Sequence, residues 1–157
     1  MKEKPKLIEY LKEIEIFKEL KEENLNKISG FFSIEKFPMG EPIILGDKLP
    51  NYFYFIFEGE VRQLIESSIH KKTISLATYK QGYLVGWSSY LSGMPLELMT
   101  AATDCILLKI SKNNWLKVIN EFSIYEIEKQ ETSPSLIWPI LKNEKEINFP
   151  IKVREFR

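Results

Sequence analysis

The chain has few of the residues on which most small-protein chemistry depends. It holds one cysteine, Cys105, and one histidine, His70, in 157 residues. A single cysteine excludes an internal disulfide framework and any zinc cluster built on thiolates. It also leaves Cys105 as a small apolar side chain on a strand, since no histidine stands beside it to activate a nucleophile. A single histidine excludes the cupin type of metal site, which needs several imidazoles from neighbouring strands. His70 reads as a surface residue of a polar hairpin loop. Excess charge is lacking too: Lys plus Arg and Asp plus Glu are 22 each. Zero net charge argues against a phosphate-backbone footprint for the domain as a whole, so no nucleic-acid partner is expected. No stretch reaches the roughly 20 apolar residues of a membrane helix. The charged residues 1–6 are followed by no apolar signal region, and a cytoplasmic location is expected. Neither an Asn-x-Ser/Thr acceptor nor a Gly-x-x-x-x-Gly-Lys-Ser/Thr loop occurs, so ATPase chemistry has no support.

What is present is a globular composition, 44% hydrophobic and 13% aromatic. The longest uncharged region runs from Gln81 to Leu96 and is followed by an isolated Glu97. Its Gly82, Gly86, Ser88, Ser89, Ser92, Gly93 and Pro95 suit a loop in which backbone amides face a ligand. Strand-like apolar segments flank it, as expected of a binding loop on a rigid scaffold.

Leu7, Ile8, Leu11 and Ile14 recur at helical spacing and predict a short amphipathic helix. A second helix is expected near 22–30, burying Leu25, Ile28 and one of Phe31 and Phe32, with Gly30 ending it. From residue 31 the pattern becomes β. The runs 31–37, 43–45, 52–57, 61–65, 72–79, 98–103 and 105–110 read as strands. The run Tyr52–Phe57 is apolar throughout, as in a strand buried on both faces. In 72–79, Ile74 and Leu76 are expected to share a face. Ser111 is placed to cap a helix burying Trp115, Leu116, Ile119 and Phe122. Pro134, Pro139 and Pro150 break up the tail, whose Ile124, Ile127, Leu136, Ile137, Trp138, Ile140 and Leu141 can pad the barrel or meet a partner. These short strands with glycine turns and no crossover helices predict a mainly β fold. Its form is a jelly roll or double-stranded β-helix with flanking short helices. A single domain over 1–157 is expected, with a helical lead-in (1–30), a β-roll (31–110) and C-terminal helices and tail (111–157).

The block Phe17–Phe122 resembles the cyclic nucleotide-binding domain of the catabolite-activator and protein-kinase regulatory-subunit type. The words that carry it are Phe37-Pro-Met-Gly40-Glu41-Pro-Ile43, Gly46-Asp47, Tyr54-Phe-Ile-Phe-Glu-Gly59-Glu-Val61 and Tyr79-Lys-Gln-Gly82-Tyr-Leu-Val-Gly86. Ala101, Thr103, Cys105 and Ile110 follow as the strand beyond the ligand loop. The resemblance implies a β-roll whose loop after Gly86 holds a cyclic nucleotide. In the family a glutamate follows that glycine and grips the ribose; here Trp87 stands there. The family sets an arginine after the proline to face the phosphate; here Leu96 and Glu97 follow Pro95. No Arg or Lys lies between Lys80 and Lys109. Candidate ligand-binding residues are Gly86, Trp87, Ser88, Ser89, Tyr90, Glu97, Leu98 and Arg62, with Arg62 or Lys72 reaching in from another strand. The amides of Ser88, Ser89 and Tyr90 could meet an anion, while Glu97 would repel one. Trp87 either plugs the pocket or stacks on a base. Gly82–Gly93 followed by Glu97 also resembles the loop of such domains fused to cyanobacterial toxin-secretion ABC exporters.

Two functions follow as expectations. One is a non-catalytic sensor with a degenerate phosphate loop, binding a small nucleotide-like ligand and passing the change to the 111–122 helix. In this reading the module serves a protein partner or a fused transporter, takes no cofactor or metal and does not insert in a membrane. The other is a protein-interaction domain that has lost ligand binding. A truncated transcription regulator is a further alternative, although the tail is short for a recognition helix. No nucleophile–base pair, metal cluster or phosphate loop supports an enzyme.

Overall fold

The computed structural model describes residues 3–67, 72–124, 127 and 147–148. Helix α1 (Glu3–Glu13) is followed by a 3-10 turn (Glu15–Phe17) and α2 (Glu22–Ser29). The strands are β1 (Phe32–Phe37), β2 (Pro42–Ile44), β3 (Tyr52–Glu58), β4 (Val61–Ser67), β5 (Lys72–Tyr79) and β6 (Leu84–Val85). Then come α3 (Trp87–Ser92), β7 (Leu98–Ala101), β8 (Cys105–Ser111), α4 (Lys112–Phe122) and β9 (Ile147–Asn148).

The strands form two antiparallel sheets, ordered β1-β8-β3-β6 and β2-β7-β4-β5, with β9 pairing β4. The fold is mainly β, a β-roll with flanking short helices, as the strand pattern predicts. Alternation along β3 and β8 makes two cores out of one sheet. Phe53, Phe55, Leu108 and Ile110 face the helices, where they meet Leu11, Phe17, Leu25, Ile28 and Trp115. Ile56 and Leu107 face the other way, into the roll, with Val61, Val85, Met99, Ala101 and Cys105. Cys105 is therefore the small buried side chain its strand position suggests.

Local departures from the sequence reading have physical causes. The β3 run is not buried throughout: Tyr52 is 47% exposed, and Tyr54 and Phe57 are half-buried. On β5 the register with β4 passes from Ala77 to Ser75 and skips Leu76, a bulge, yet Ile74 and Leu76 are both half-buried and Thr73 and Ser75 both exposed, in keeping with the expected faces. Strand β7 stops at Ala101 because the amides of Ala102 and Thr103 turn to Glu60 O. The tight turn there is Gly59 at φ 94°, where a Cβ would meet Asp104 and Cys105. On α4 the fully buried residues are Trp115 and Val118. Leu116, Ile119 and Phe122 are only half-buried, packed at the margin of the helix-side core. Helix α2 does end at Gly30, but with φ −67° and not in a left-handed cap.

Of Phe31 and Phe32, Phe32 is the buried one. Ile124 and Ile127 join the helix-side core, in keeping with padding. His70, Trp138, Leu136, Ile137, Ile140, Leu141 and the tail prolines lie outside the described residues.

Candidate functional site

The uncharged stretch folds as β6, a sharp turn at Gly86, the single short helix α3, and a return through Pro95 to β7. Gly86 sits at φ 98°, and a Cβ on it would lie 2.8 Å from the Phe53 ring. Only glycine takes that conformation there at no steric cost. The turn points the Gly86 and Ser89 amides toward one spot, and the Glu97 carboxylate fills it. Gly86 N donates to Oε2 at 3.0 Å. Ser89 N and Ser89 Oγ both donate to Oε1, each at 2.8 Å. Leu96 N in turn donates to Ser89 Oγ at 3.2 Å. Glu97 is wholly buried. Burial pushes its carboxyl above the ordinary range, while the bonds from Gly86, the Ser89 amide and the Ser89 hydroxyl pull the other way.

The other site residues divide by direction. Ser88 is buried, and its Oγ lies 3.4 Å from the Tyr83 hydroxyl. Tyr90 N bonds Gly86 O at 3.1 Å, closing the first turn of α3, so it is not free for an anion. Trp87 neither plugs the roll nor faces it. Its ring stacks on Tyr90 at 5.2 Å and meets Phe53 and Trp115 edge-on at 5.6 and 6.4 Å, on the helix side of the sheet. Leu98 is half-buried at the start of β7, and Leu96 is buried. Arg62 is exposed on β4, between the buried Val61 and Gln63. Strand alternation turns it out of the roll, so it does not reach in toward α3. Lys72 begins β5.

Three residues not singled out from the sequence complete the interior. Tyr79 and Tyr83 stack at 3.8 Å, and Tyr79 Oη donates to Gln63 Oε1 at 2.8 Å. Gln63 is fully buried. The signal was available: Gln63 lies at an inward position between Val61 and Ile65, where an apolar residue is the norm. Burial, and next the charge of Glu97, push the Tyr83 hydroxyl well above its ordinary value, so it stays a phenol. The polar line of the roll thus runs from Glu97 and Ser89 through Ser88 and Tyr83 to Tyr79 and Gln63.

Residues 34–122 match the cyclic nucleotide-binding domain family. That is more than half of the chain, and the chain belongs to this family. No curated protein matches it significantly in sequence. Among solved structures, the regulatory subunit of a cAMP-independent protein kinase A from Trypanosoma brucei is similar. It has a TM-score of 0.70 at 16% identity, over 91% of this chain and 52% of that one. The regulatory domain of Toxoplasma gondii protein kinase A with cAMP gives 0.65 at 15%, over 90% and 51%. The catabolite activator protein of Thermus thermophilus gives 0.58 at 22%, over 82% and 58%. The chain spans about half the length of these kinase structures, and at such identities the likeness is one of fold. Among the described residues no helix is long and apolar enough to cross a membrane. The same residues hold no cluster of three or more metal-ligating side chains.

Proposed function

We propose that this chain is a non-catalytic regulatory module of the cyclic nucleotide-binding type whose phosphate-binding loop is degenerate. One observation supports this above the rest: Gly86 N, Ser89 N and Ser89 Oγ, which line the loop, are all spent on Glu97. A second anion there would meet a buried carboxylate that has no ion-pair partner among the described residues. Leu96, where the family sets an arginine, is buried and supplies no charge. Structural neighbours offer precedents for such a module. The Trypanosoma brucei protein is called cAMP-independent, and a mutant of it is bound to cAMP. The Trypanosoma cruzi one is bound to guanosine, which has no phosphate.

Titration calorimetry of the chain with cyclic AMP, cyclic GMP and guanosine tests the reading. No heat is expected from either cyclic nucleotide, and binding is expected to appear in the Leu96→Arg, Glu97→Ala double variant. Micromolar binding of a cyclic nucleotide by the natural chain would overturn the degenerate loop. Heat from guanosine alone would make the module a sensor for a neutral nucleoside.

For its setting, the reading takes a cytoplasmic module of an ABC-type toxin-secretion exporter, supported by the resemblance of Gly82–Gly93 to loops of that group. Such a module is encoded with an ATPase carrying a Gly-x-x-x-x-Gly-Lys-Ser/Thr loop. The neighbouring coding sequence decides whether this setting stands.

A further inference from the structure

We infer that Glu97 is a built-in occupant of the loop, holding it in one closed conformation without any soluble ligand, and that α4 reads this state through the Trp87–Trp115 contact. The inference rests on the degenerate-loop reading and adds to it what regulates the site.

The first part follows from the number and placement of the bonds. Glu97 and its three donors are separated by 8 and 11 residues, so the carboxylate closes the whole 86–97 excursion at its neck. A buried carboxylate is stable only where donors meet both its oxygens, and here both are met. The donors gain as much, since the Gly86 and Ser89 amides have no intrahelical acceptor at the first turn of α3. Each side satisfies the other, and neither needs a ligand. The backbone around the neck is fitted as closely. Gly46, at φ 74° in the β2–β3 connection, packs on the Glu97 carbonyl so tightly that a Cβ would lie 3.2 Å from it.

The second part follows from where α3 sends its rings. Trp87 is the first residue of α3, directly after Gly86. Its ring lies against Phe53 of β3 and Trp115 of α4. Trp115 is fully buried and also packs edge-on to Phe17 and Phe55. A change in the turn at Gly86 moves Trp87, and in a close-packed core Trp115 must respond. The loop and α4 are thus one mechanical unit, which Glu97 keeps in a fixed state.

Hydrogen exchange and indole spectra of the full chain test both parts. In the natural protein the amides of Gly86 and Ser89 are expected to be protected, and addition of cyclic AMP leaves them unchanged. Glu97→Ala is expected to raise their exchange by about tenfold or more, the loss of a bond to a charged acceptor. In that variant the indole N–H signals of Trp87 and Trp115 shift together. Both indole nitrogens are buried without an acceptor among the described residues, which sets their signals apart. Glu97→Gln keeps one acceptor oxygen and gives an intermediate response, and it carries the test if the alanine variant fails to fold. Protection of the β3–β8 ladder in the same samples separates local opening from unfolding. Unchanged Gly86 and Ser89 exchange in both variants overturns the built-in occupant. A loosened loop with an unmoved Trp115 signal overturns the link to α4. Binding of cyclic AMP by the natural chain overturns the degenerate-loop reading instead, and calorimetry shows that independently.

Discussion

Ser89 donates twice to one oxygen of Glu97, through its backbone N–H and through its hydroxyl, each at 2.8 Å. A residue that meets the carboxylate both ways fixes its own rotamer and the carboxylate's together. Ser89→Ala keeps the amide bond and removes the hydroxyl bond, and it also takes from Leu96 N one of its two acceptors, leaving Met94 O at 2.8 Å. The expected cost is about 1–3 kcal/mol, read as a lower urea midpoint with an unchanged slope. A variant as stable as the natural chain would show that the hydroxyl does not hold the loop.

The same carboxylate gives stability a pH dependence of definite sign. Burial raises the Glu97 carboxyl above its ordinary 4.5 in the folded state, and the hydrogen bonds only partly oppose this. Between the unfolded and folded values the unfolded chain has released its proton while the folded chain holds it. Stability from this group is therefore complete below about 4.5 and is lost as pH rises through the folded value. Glu97→Gln removes this dependence. Urea melts of both proteins from acid to neutral pH should show the natural chain losing stability relative to the glutamine variant as pH rises. A constant difference means that the hydrogen bonds balance burial, and one of opposite sign that they outweigh it.

Gly86 and Gly82 share a left-handed conformation, with φ 98° and 94°, but not an environment. A Cβ at Gly86 would lie 2.8 Å from the Phe53 ring, whereas one at Gly82 would meet nothing within 4 Å. Gly82→Ala should carry only the conformational cost, about 1 kcal/mol. Gly86→Ala adds a collision with a fully buried ring, and its loss should be at least about twice as large. Equal urea midpoints for the two variants would mean that the Phe53 contact does not constrain the turn.

Much of this fold was legible because its signals are local and periodic. Leu7 and Leu11 mark the buried face of α1, and Ser111 caps α4 by accepting from Asn114 N at 3.2 Å. The glycines at 40, 46, 59, 82 and 86 all take positive φ, which is why their spacing carried the family pattern. Direction was harder to read. Arg62 and Trp87 have the chemistry of ligand contacts, but strand alternation turns one outward and the helix-side core takes the other. Nor could the sequence show that Glu97, 11 residues from Gly86, would satisfy the loop's donors instead of repelling what they bind. That relation depends on the loop closing on itself, and no period in the sequence encodes it.

Trp87 separates a pocket residue from a core residue. The family sets a glutamate after the glycine, so Trp87→Glu is the obvious substitution to restore a nucleotide grip. In this structure Trp87 is 4% exposed and packed against Phe53, Tyr90 and Trp115. Loss of the ring forfeits a large buried surface, and the carboxylate would enter a core of Phe53, Tyr90 and Trp115 rings. The expected loss is about 3–5 kcal/mol, a large part of the stability of an ordinary domain. Trp87→Phe, which keeps an aromatic ring and adds no charge, should cost clearly less. Calorimetry should find no gain of cyclic AMP binding in Trp87→Glu, in contrast to the Leu96→Arg, Glu97→Ala chain. A stable Trp87→Glu protein that binds cyclic AMP would place the residue in the pocket and return the loop to the family's ordinary design.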